Sequence, residues 1–599
     1  MRIIILTLLL TLPLALSAQN RAKLAQRYFY AGEYEKAAVT YKQLYEANSR
    51  NDYYFNRYTE CLLQLEQYDQ AEKAIAEQIK AFPDNIWLYV SKGQVYEAQY
   101  QDEEAKQLYR TAIDKLTADR NQIIKLANIF SSNSKYDFAI QTYEKGAKLL
   151  RDDEIFAYYL GELYRRKGET EKMVEQYLNS LDANPRRLGT LRTIFQRYLS
   201  DDDFEVLKTK LYERIQKDRN ALHYPELLTW VFIQQKDYRG AFRQVRAIDR
   251  RMRENGMRIY QLGEIAANDG AYDAAIMAYD YIIESKGESS SFYLEAKRAS
   301  LRCRRLRLTE GYDYNREDLL ELEQMYADFL TEFEDNPNVG EIVIEYAELE
   351  GLYLNNMEKA IRLLQDLIEK PDLNLYVKSQ AKLDLADYYL IKGEVWEATL
   401  LYSQVDKLFK DDLLGHEARF RNARLSYFNG DFQWAQSQFE ILKASTSKLI
   451  ANDALDLSVF IMDNLGLDTT TTAMELYAQS ELLVFQNRFE EAFAKLDTLK
   501  QGFPEHTLQD DVAYLKANIY KKQRAYDKAI EYYEQIIEEH TEEIRADNAL
   551  YELAQLYDQQ LDNKEKAMEL YERLFIEFNS SVLAVNARKR FRELRGDTI

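Results

Sequence analysis

"AYDAAIMAYDYII", residues 271–283, returns at 525–537 as "AYDKAIEYYEQII" with eight of the thirteen positions identical. The matching residues are Ala, Tyr, Asp, Ala, Ile, Tyr and the closing Ile-Ile, and their spacing of three and four places them on one face of a helix. A match this long within one chain marks a building unit. The copies sit 254 residues apart, which is seven steps of 34 plus 16, so the array that contains them changes phase between the two.

The period emerges from the small residue that follows the turn "AGEYEKA" (31–37). It is Ala37, then Ala71, Ala105, Ala139, Met173, Leu207, Ala241 and Ala275, each 34 further on. Downstream the same turn precedes Ala360, Ala398, Ala435, Ala492, Ala529 and Ala567, at steps of 38, 37, 57, 37 and 38. The long step predicts an extra helix near 451–464, followed by the threonine run 469–472. Each unit reads as two helices of about 13–15 residues. The small residue on the second helix lets the first approach closely, and a tyrosine four residues on (Tyr41, Tyr109, Tyr143, Tyr177, Tyr279, Tyr402, Tyr533, Tyr571) fills the space beside it. One such unit cannot enclose its own apolar face, so stacking must supply the core.

At this point the sequence resembles the tetratricopeptide repeat family. Residues 157–185 carry its pattern as Leu160-Gly161, Tyr164, Gly168, Tyr177 and Pro185, and residues 86–119 as Gly93, Tyr96, Ala105 and Tyr109. The resemblance implies an all-α fold, an α-solenoid wound as a right-handed superhelix of about 14 to 15 helix-turn-helix repeats. The expected divisions are a leader at 1–18, eight 34-residue units over 19–289, an irregular helical joint at 290–340, a second array at 341–581, and a capping helix with tail at 582–599. The stretch 503–540 is also similar to repeats in the outer-membrane assembly lipoprotein of the Bam machine and in the Tol-Pal coordinator. That likeness covers about the last 100 residues, and the lipid-anchoring cysteine of the former is missing here.

Composition agrees with helix throughout. Only 20 Gly and 7 Pro among 599 residues leave little material for hairpins, while 46% apolar and 30% charged residues are mixed along the length. The first residues read as a secretory signal: Arg2, the apolar run Ile3 to Leu16, and the small-residue site Leu16-Ser17-Ala18. That run is too short to span a membrane, and nothing later is longer. A secreted, periplasmic protein is therefore expected, with extracellular release as the alternative. Losing Arg2 with the leader takes the formal charge from −21 to −22. A chain this acidic is poorly suited to neutralising phosphates, so nucleic acid is not an expected partner. Cys61 and Cys303 lie 242 residues apart in a stack where only neighbours touch, and they are expected as two separate buried thiols.

No nucleotide-binding glycine loop, no zinc-protease helix motif and no nucleophile elbow occurs. His223, His416, His506 and His540 are scattered over different units with no second ligand at metal spacing. An enzyme is not expected, nor a cofactor or metal. The resemblance implies a concave groove lined by the first helix of each unit. Carried over position by position, it holds Tyr53, Asn56, Arg57, Trp87, Asn121, Lys125, Asn128, Tyr158, Tyr159, Arg165, Arg166, Arg192, Trp230 and Tyr260. Aromatics beside Arg and Asn suit an extended peptide, although some of them are expected to pack against adjacent helices. The clamp with which some relatives hold a terminal carboxylate is not supplied at Ile124, Asn128, Tyr159 and Gly189.

The strongest local charge anomaly is Arg239, Arg243, Arg246, Arg250 and Arg253, a 4-3-4-3 stripe on one helix opposite Ala241, Val245, Ile248 and Met252. Arg298, Arg302 and Arg305 repeat that spacing. This outer basic patch is either a solvated face neutralised by acidic neighbours or a dock for an acidic partner or anionic lipid. The expected function is a non-catalytic interaction scaffold in the bacterial envelope, supporting outer-membrane assembly or secretion. Its partners would be other envelope proteins, with peripheral contact to a membrane complex. The alternative is a glycan- or peptidoglycan-binding module using groove aromatics.

Overall fold

The structure is a computed structural model that describes residues 20–48, 52–311, 314–334, 336–444, 447–465, 470–539 and 545–597. The leader at 1–18 and His540 lie outside the described residues. Among the described residues all regular structure is helical, and no strand occurs. The chain divides into two compact units, 1–293 and 294–599, and the division falls inside the segment 290–340.

In the first unit the second helices of the pairs are Tyr34–Ala47, Tyr68–Ala81, Asp102–Asp114, Tyr136–Leu150, Thr170–Ala183, Asp201–Lys217, Tyr238–Met252 and Tyr272–Ser285. All eight residues of the 34-residue series, Ala37 through Ala275, are buried on them. Facing them are the first helices Asp52–Gln64, Ile86–Ala98, Arg120–Ser132, Ala157–Lys167, Leu188–Tyr198, His223–Gln234 and Met257–Asn268. The close approach is visible at glycine. A methyl group added to Gly93, Gly161 or Gly263 would lie 2.4, 2.7 or 2.5 Å from the ring of Tyr109, Tyr177 or Tyr279 respectively. Each tyrosine stands sixteen residues after its glycine, so one contact recurs through the stack.

The turn between the two helices repeats as well. Left-handed backbone occurs at 32, 66, 100, 134, 168, 236 and 270, always in the same phase. Gly occupies it at 32, 168 and 270, while Glu66, Tyr100, Ser134 and Lys236 adopt it at φ between 55° and 61°. The sixth unit departs from this rule: Asp202 is helical, and the helix instead begins at a capping box in which Ser200 and Asp203 exchange hydrogen bonds.

The second unit uses longer helices, among them Leu375–Lys392, Leu413–Phe428 and Arg545–Gln559. Ala360, Ala398, Ala435, Ala492, Ala529 and Ala567 are all buried in it. Its first part, Tyr293–Gly311 and Arg316–Glu332, is helical, and the long step of 57 holds the complete helix Lys448–Leu465. Leu583–Arg595 ends the described helices and covers its neighbour through Ala584 and Ala587. Both cysteines are free and buried, with burial pushing the thiol of Cys61 up to about 12 and that of Cys303 to about 11. Neither is a candidate nucleophile or metal ligand in that state.

Candidate functional site

The groove residues expected from sequence lie on the first helices of the first unit, and many of them are tied pairwise between consecutive units. The Arg57 guanidinium lies 4.7 Å from the Phe29 ring and 5.5 Å from that of Tyr53, and pairs with Glu60 at 2.8 Å. Lys125 holds its ammonium 4.4 Å over Trp87 of the preceding unit. Arg187 stands 5.0 Å over Tyr158, and Arg165 is 4.4 Å over Tyr198. Arg165 also grips Glu162 through two hydrogen bonds, with Arg166 joining at 3.4 Å, and these bonds hold the Glu162 carboxyl below its usual range. Such cation–aromatic contacts contribute about 0.5–1 kcal/mol each at exposed sites. Together they fix side-chain directions along one face.

Other members of the set serve packing. Tyr159 stacks on Tyr143 at 5.4 Å, Trp230 leans on Phe204 at 6.0 Å, and Tyr260 stacks on Phe292 at 5.5 Å. Arg192 donates to the Glu226 carbonyl at 3.0 Å, its Nε is buried without a partner, and burial pushes its pKa down. Asn56 is half-buried. Tyr53, Asn121, Lys125, Asn128 and Arg166 are the exposed members.

The stripe Arg239, Arg243, Arg246 and Arg250 runs along Tyr238–Met252, and Arg253 closes it in left-handed backbone at φ 55°. None of the five forms an ion pair with a described residue. Arg246 and Arg250 both lie 5.9 Å from the Tyr281 ring, and Arg250 Nε donates to the Tyr281 hydroxyl at 3.2 Å. Met252, placed by the pattern on the packing face, is instead exposed at the last residue of the helix. The second set takes the first of the two expected forms, a face neutralised by acidic neighbours. Arg298 pairs with Glu341 at 2.9 Å, Arg302 with Glu345 at 2.7 Å and Arg305 with Glu348 at 2.9 Å, so these three arginines form a ladder onto the helix Gly340–Glu348 and not an open patch.

The second unit holds a site the sequence did not reveal. A cavity of 430 Å³ is floored by Phe420, Phe428 and Phe485 and walled by Arg424, Asp453, Asp456, Glu481 and Lys522. A neighbouring one of 590 Å³ shares Phe485 and Lys522 and adds Glu348, Asp384 and Asp387. Helix ends converge here because Gln486 donates to the Leu390 carbonyl at 2.9 Å, joining segments 96 residues apart. Arg424 lies 5.4 Å from Phe428 and 5.1 Å from Phe485, and neither it nor Lys522 has an ion-pair partner among the described residues.

The surrounding carboxylates are crowded by protein. Burial raises the pKa of Glu481, whose carboxylate accepts from the Tyr427 hydroxyl at 2.6 Å, and of Asp453, where Asp456 and Glu417 add repulsion. Burial also pushes Asp384 up to about 6 against the pull of Arg421, and depresses the Lys522 ammonium. The signal for this site was present in outline: the 57-residue step announced an extra helix, and that helix supplies Asp453 and Asp456. Its neighbours along the chain did not announce the cavity. Among the described residues no group of three or more His, Cys, Asp or Glu is arranged to hold a metal, and no helix is long and apolar enough to cross a membrane.

Comparison with known proteins places the repeat. Family models for the tetratricopeptide repeat match residues 28–89 and 514–581. A TPR repeat-containing protein of Methanocaldococcus jannaschii is 26% identical over 162 residues, which are 27% of this chain and 28% of that protein, so the likeness spans about a quarter of each. Among solved structures, the Naa15/Naa10 complex bound to HypK has a chain that is 14% identical, with 96% of both chains covered and a TM-score of 0.27. A tetratricopeptide repeat protein from Parabacteroides merdae is 13% identical over 47% of this chain and 92% of its own, with a TM-score of 0.28. The match at 514–581 is to the repeat itself and carries no envelope role with it. The described residues are thus an all-α array of helix pairs that carries tetratricopeptide repeats where the family models match, at residues 28–89 and 514–581.

Proposed function

We propose that this protein is a non-catalytic scaffold of the bacterial cell envelope, exported by its leader, that holds partner proteins along its helix-lined faces. Tetratricopeptide repeats are a protein–protein interaction architecture, and the envelope assignment rests on the leader at 1–18 and on the likeness of 503–540 to repeats of envelope machines. The observation that carries the reading is the chain of cation–aromatic contacts Arg57–Phe29, Lys125–Trp87 and Arg165–Tyr198. It presets an extended face whose exposed members are ready to meet a partner with little further ordering.

Photo-crosslinking amino acids at Tyr53 and Asn128 in cells of the source organism, with Tyr100 on a turn as control, test this. Discrete adducts from the first two positions, in the envelope fraction and with the leader removed, are expected. Absence of adducts from both, or an uncleaved cytoplasmic protein, would sink the proposal. The glycan-binding alternative has weaker support, because Trp87 and Trp230 each already have a ring or ammonium neighbour. Retention on purified sacculi without any added protein would restore it.

A further inference from the structure

The helix Lys448–Leu465 stands outside the two-helix rhythm, and its sequence "KLIANDALDLSVFIMDNL" places apolar residues on two sides and Asn452, Asp453, Asp456, Asp463 and Asn464 along a third. One side lies in the core, where Ile450, Ala454 and Ile461 are buried and Leu457 and Phe460 pack beside them. The opposite side is open: Leu455, Val459 and Met462 are 44, 37 and 48% exposed. Spaced at i, i+4 and i+7, they form one continuous ridge about 10 Å long. The ridge is an exposed apolar strip that no described helix covers.

The borders of the ridge say what partner would fit it. One long border sinks into the core. The other carries Asp456 and Asp463, each one residue after a ridge residue; both are exposed and neither forms an ion pair with a described residue. A second copy of this chain would set aspartate against aspartate, and an anionic membrane would be repelled in the same way. The complementary shape and charge belong to a helix with an apolar i, i+4, i+7 strip bordered by Lys or Arg, laid along the ridge.

We propose that the ridge of Lys448–Leu465 docks a basic amphipathic helix of a partner protein. The proposal rests on the scaffold reading and names the chemistry of one partner. The probe is a fluorescein-labelled, amidated 18-residue peptide with leucines at i, i+4 and i+7 bordered by lysines, titrated by anisotropy into the full mature chain. A matched peptide has glutamates for the lysines.

The lysine peptide is expected to bind saturably and more weakly at high salt. Binding should fall about tenfold in L455Q/V459Q/M462Q, and the preference should turn to the glutamate peptide in D456K/D463K. All five positions are exposed, and thermal melting by circular dichroism verifies that the variants fold. Equal affinity in wild type and both variants, or no preference between the peptides, overturns the proposal. So does a concentration-dependent dimer, or binding to phosphatidylglycerol vesicles, that the glutamine variant loses. Crosslinks from Asn128 that persist while the ridge proves inert leave the scaffold standing without this site. Ridge binding in a chain with no cellular adducts does the reverse.

Discussion

Tyr100 holds φ 61° in the turn between its two helices and is 94% exposed. Its ring therefore gains little packing, while its β-carbon sits in backbone that glycine adopts freely and other residues enter at a cost. Gly32, Gly168 and Gly270 occupy the same phase. Y100G is expected to raise stability by about 0.5–1 kcal/mol in urea titration, net of the greater freedom that glycine gives the unfolded chain. The opposite outcome is expected at Gly161, where the methyl of G161A would lie 2.7 Å from the Tyr177 ring. The ring is enclosed and cannot retreat, so a loss of about 1–3 kcal/mol should be measured, and A139L should cost about as much at a residue with no exposed surface.

At the scale of the element, the helix Tyr238–Met252 shows how a junction is locked. Asp249 is completely buried near its end, accepts from the Gly256 backbone N–H at 2.6 Å and pairs with Lys286 at 2.6 Å. The chain between them turns through three left-handed residues, Arg253, Asn255 and Gly256. One carboxylate thus closes the turn and ties the helix to the end of the next pair. D249A leaves Lys286 without its partner in a half-buried position and frees the turn. A loss of about 2–3 kcal/mol is expected, with hydrogen exchange accelerating first in residues 249–260.

On the scale of the whole molecule, the formal charge of −21 is not evenly spent. In the second unit Arg421 faces three carboxylates, Asp384 at 3.5 Å, Asp387 at 2.7 Å and Glu417 at 2.8 Å, and Asp384 is left with its pKa raised to about 6, mainly by burial. Asp511 is raised to about 7 in the same way, against the pull of Arg545. A carboxyl that binds its proton more tightly when folded contributes stability that is complete below its unfolded pKa of about 3.9 and is lost as pH rises through the folded value. These two sites therefore weaken the fold between about pH 4 and 7. D384N keeps Arg421 supplied by two carboxylates and removes one source of that slope. Thermal melts across pH 5 to 8 should show the variant gaining on wild type toward pH 8, by about 1–3 kcal/mol.

What the sequence determined by itself is the repeating interior. The series from Ala37 to Ala275 and the tyrosine beside it follow from contacts that recur within one unit and its neighbour, so their period is written along the chain. The left-handed turn, held by Glu66, Tyr100, Ser134 and Lys236 as well as by glycine, shows only in the structure. The groove positions came from the resemblance, and the structure shows of them only their place on first helices and that Tyr53, Asn121 and Asn128 are exposed there. Only the tertiary structure decided which charges remain open. Arg298, Arg302 and Arg305 carry the same spacing as Arg239, Arg243 and Arg246, yet the first three meet glutamates 43 residues further on while the others meet none. Which side chains face each other over that distance depends on unit length and stacking register, and these are properties of the packed helices. The same holds for Lys448–Leu465: its apolar residues announce a helix, but which of them find a core and which are left as an open ridge is settled by the helices that surround it.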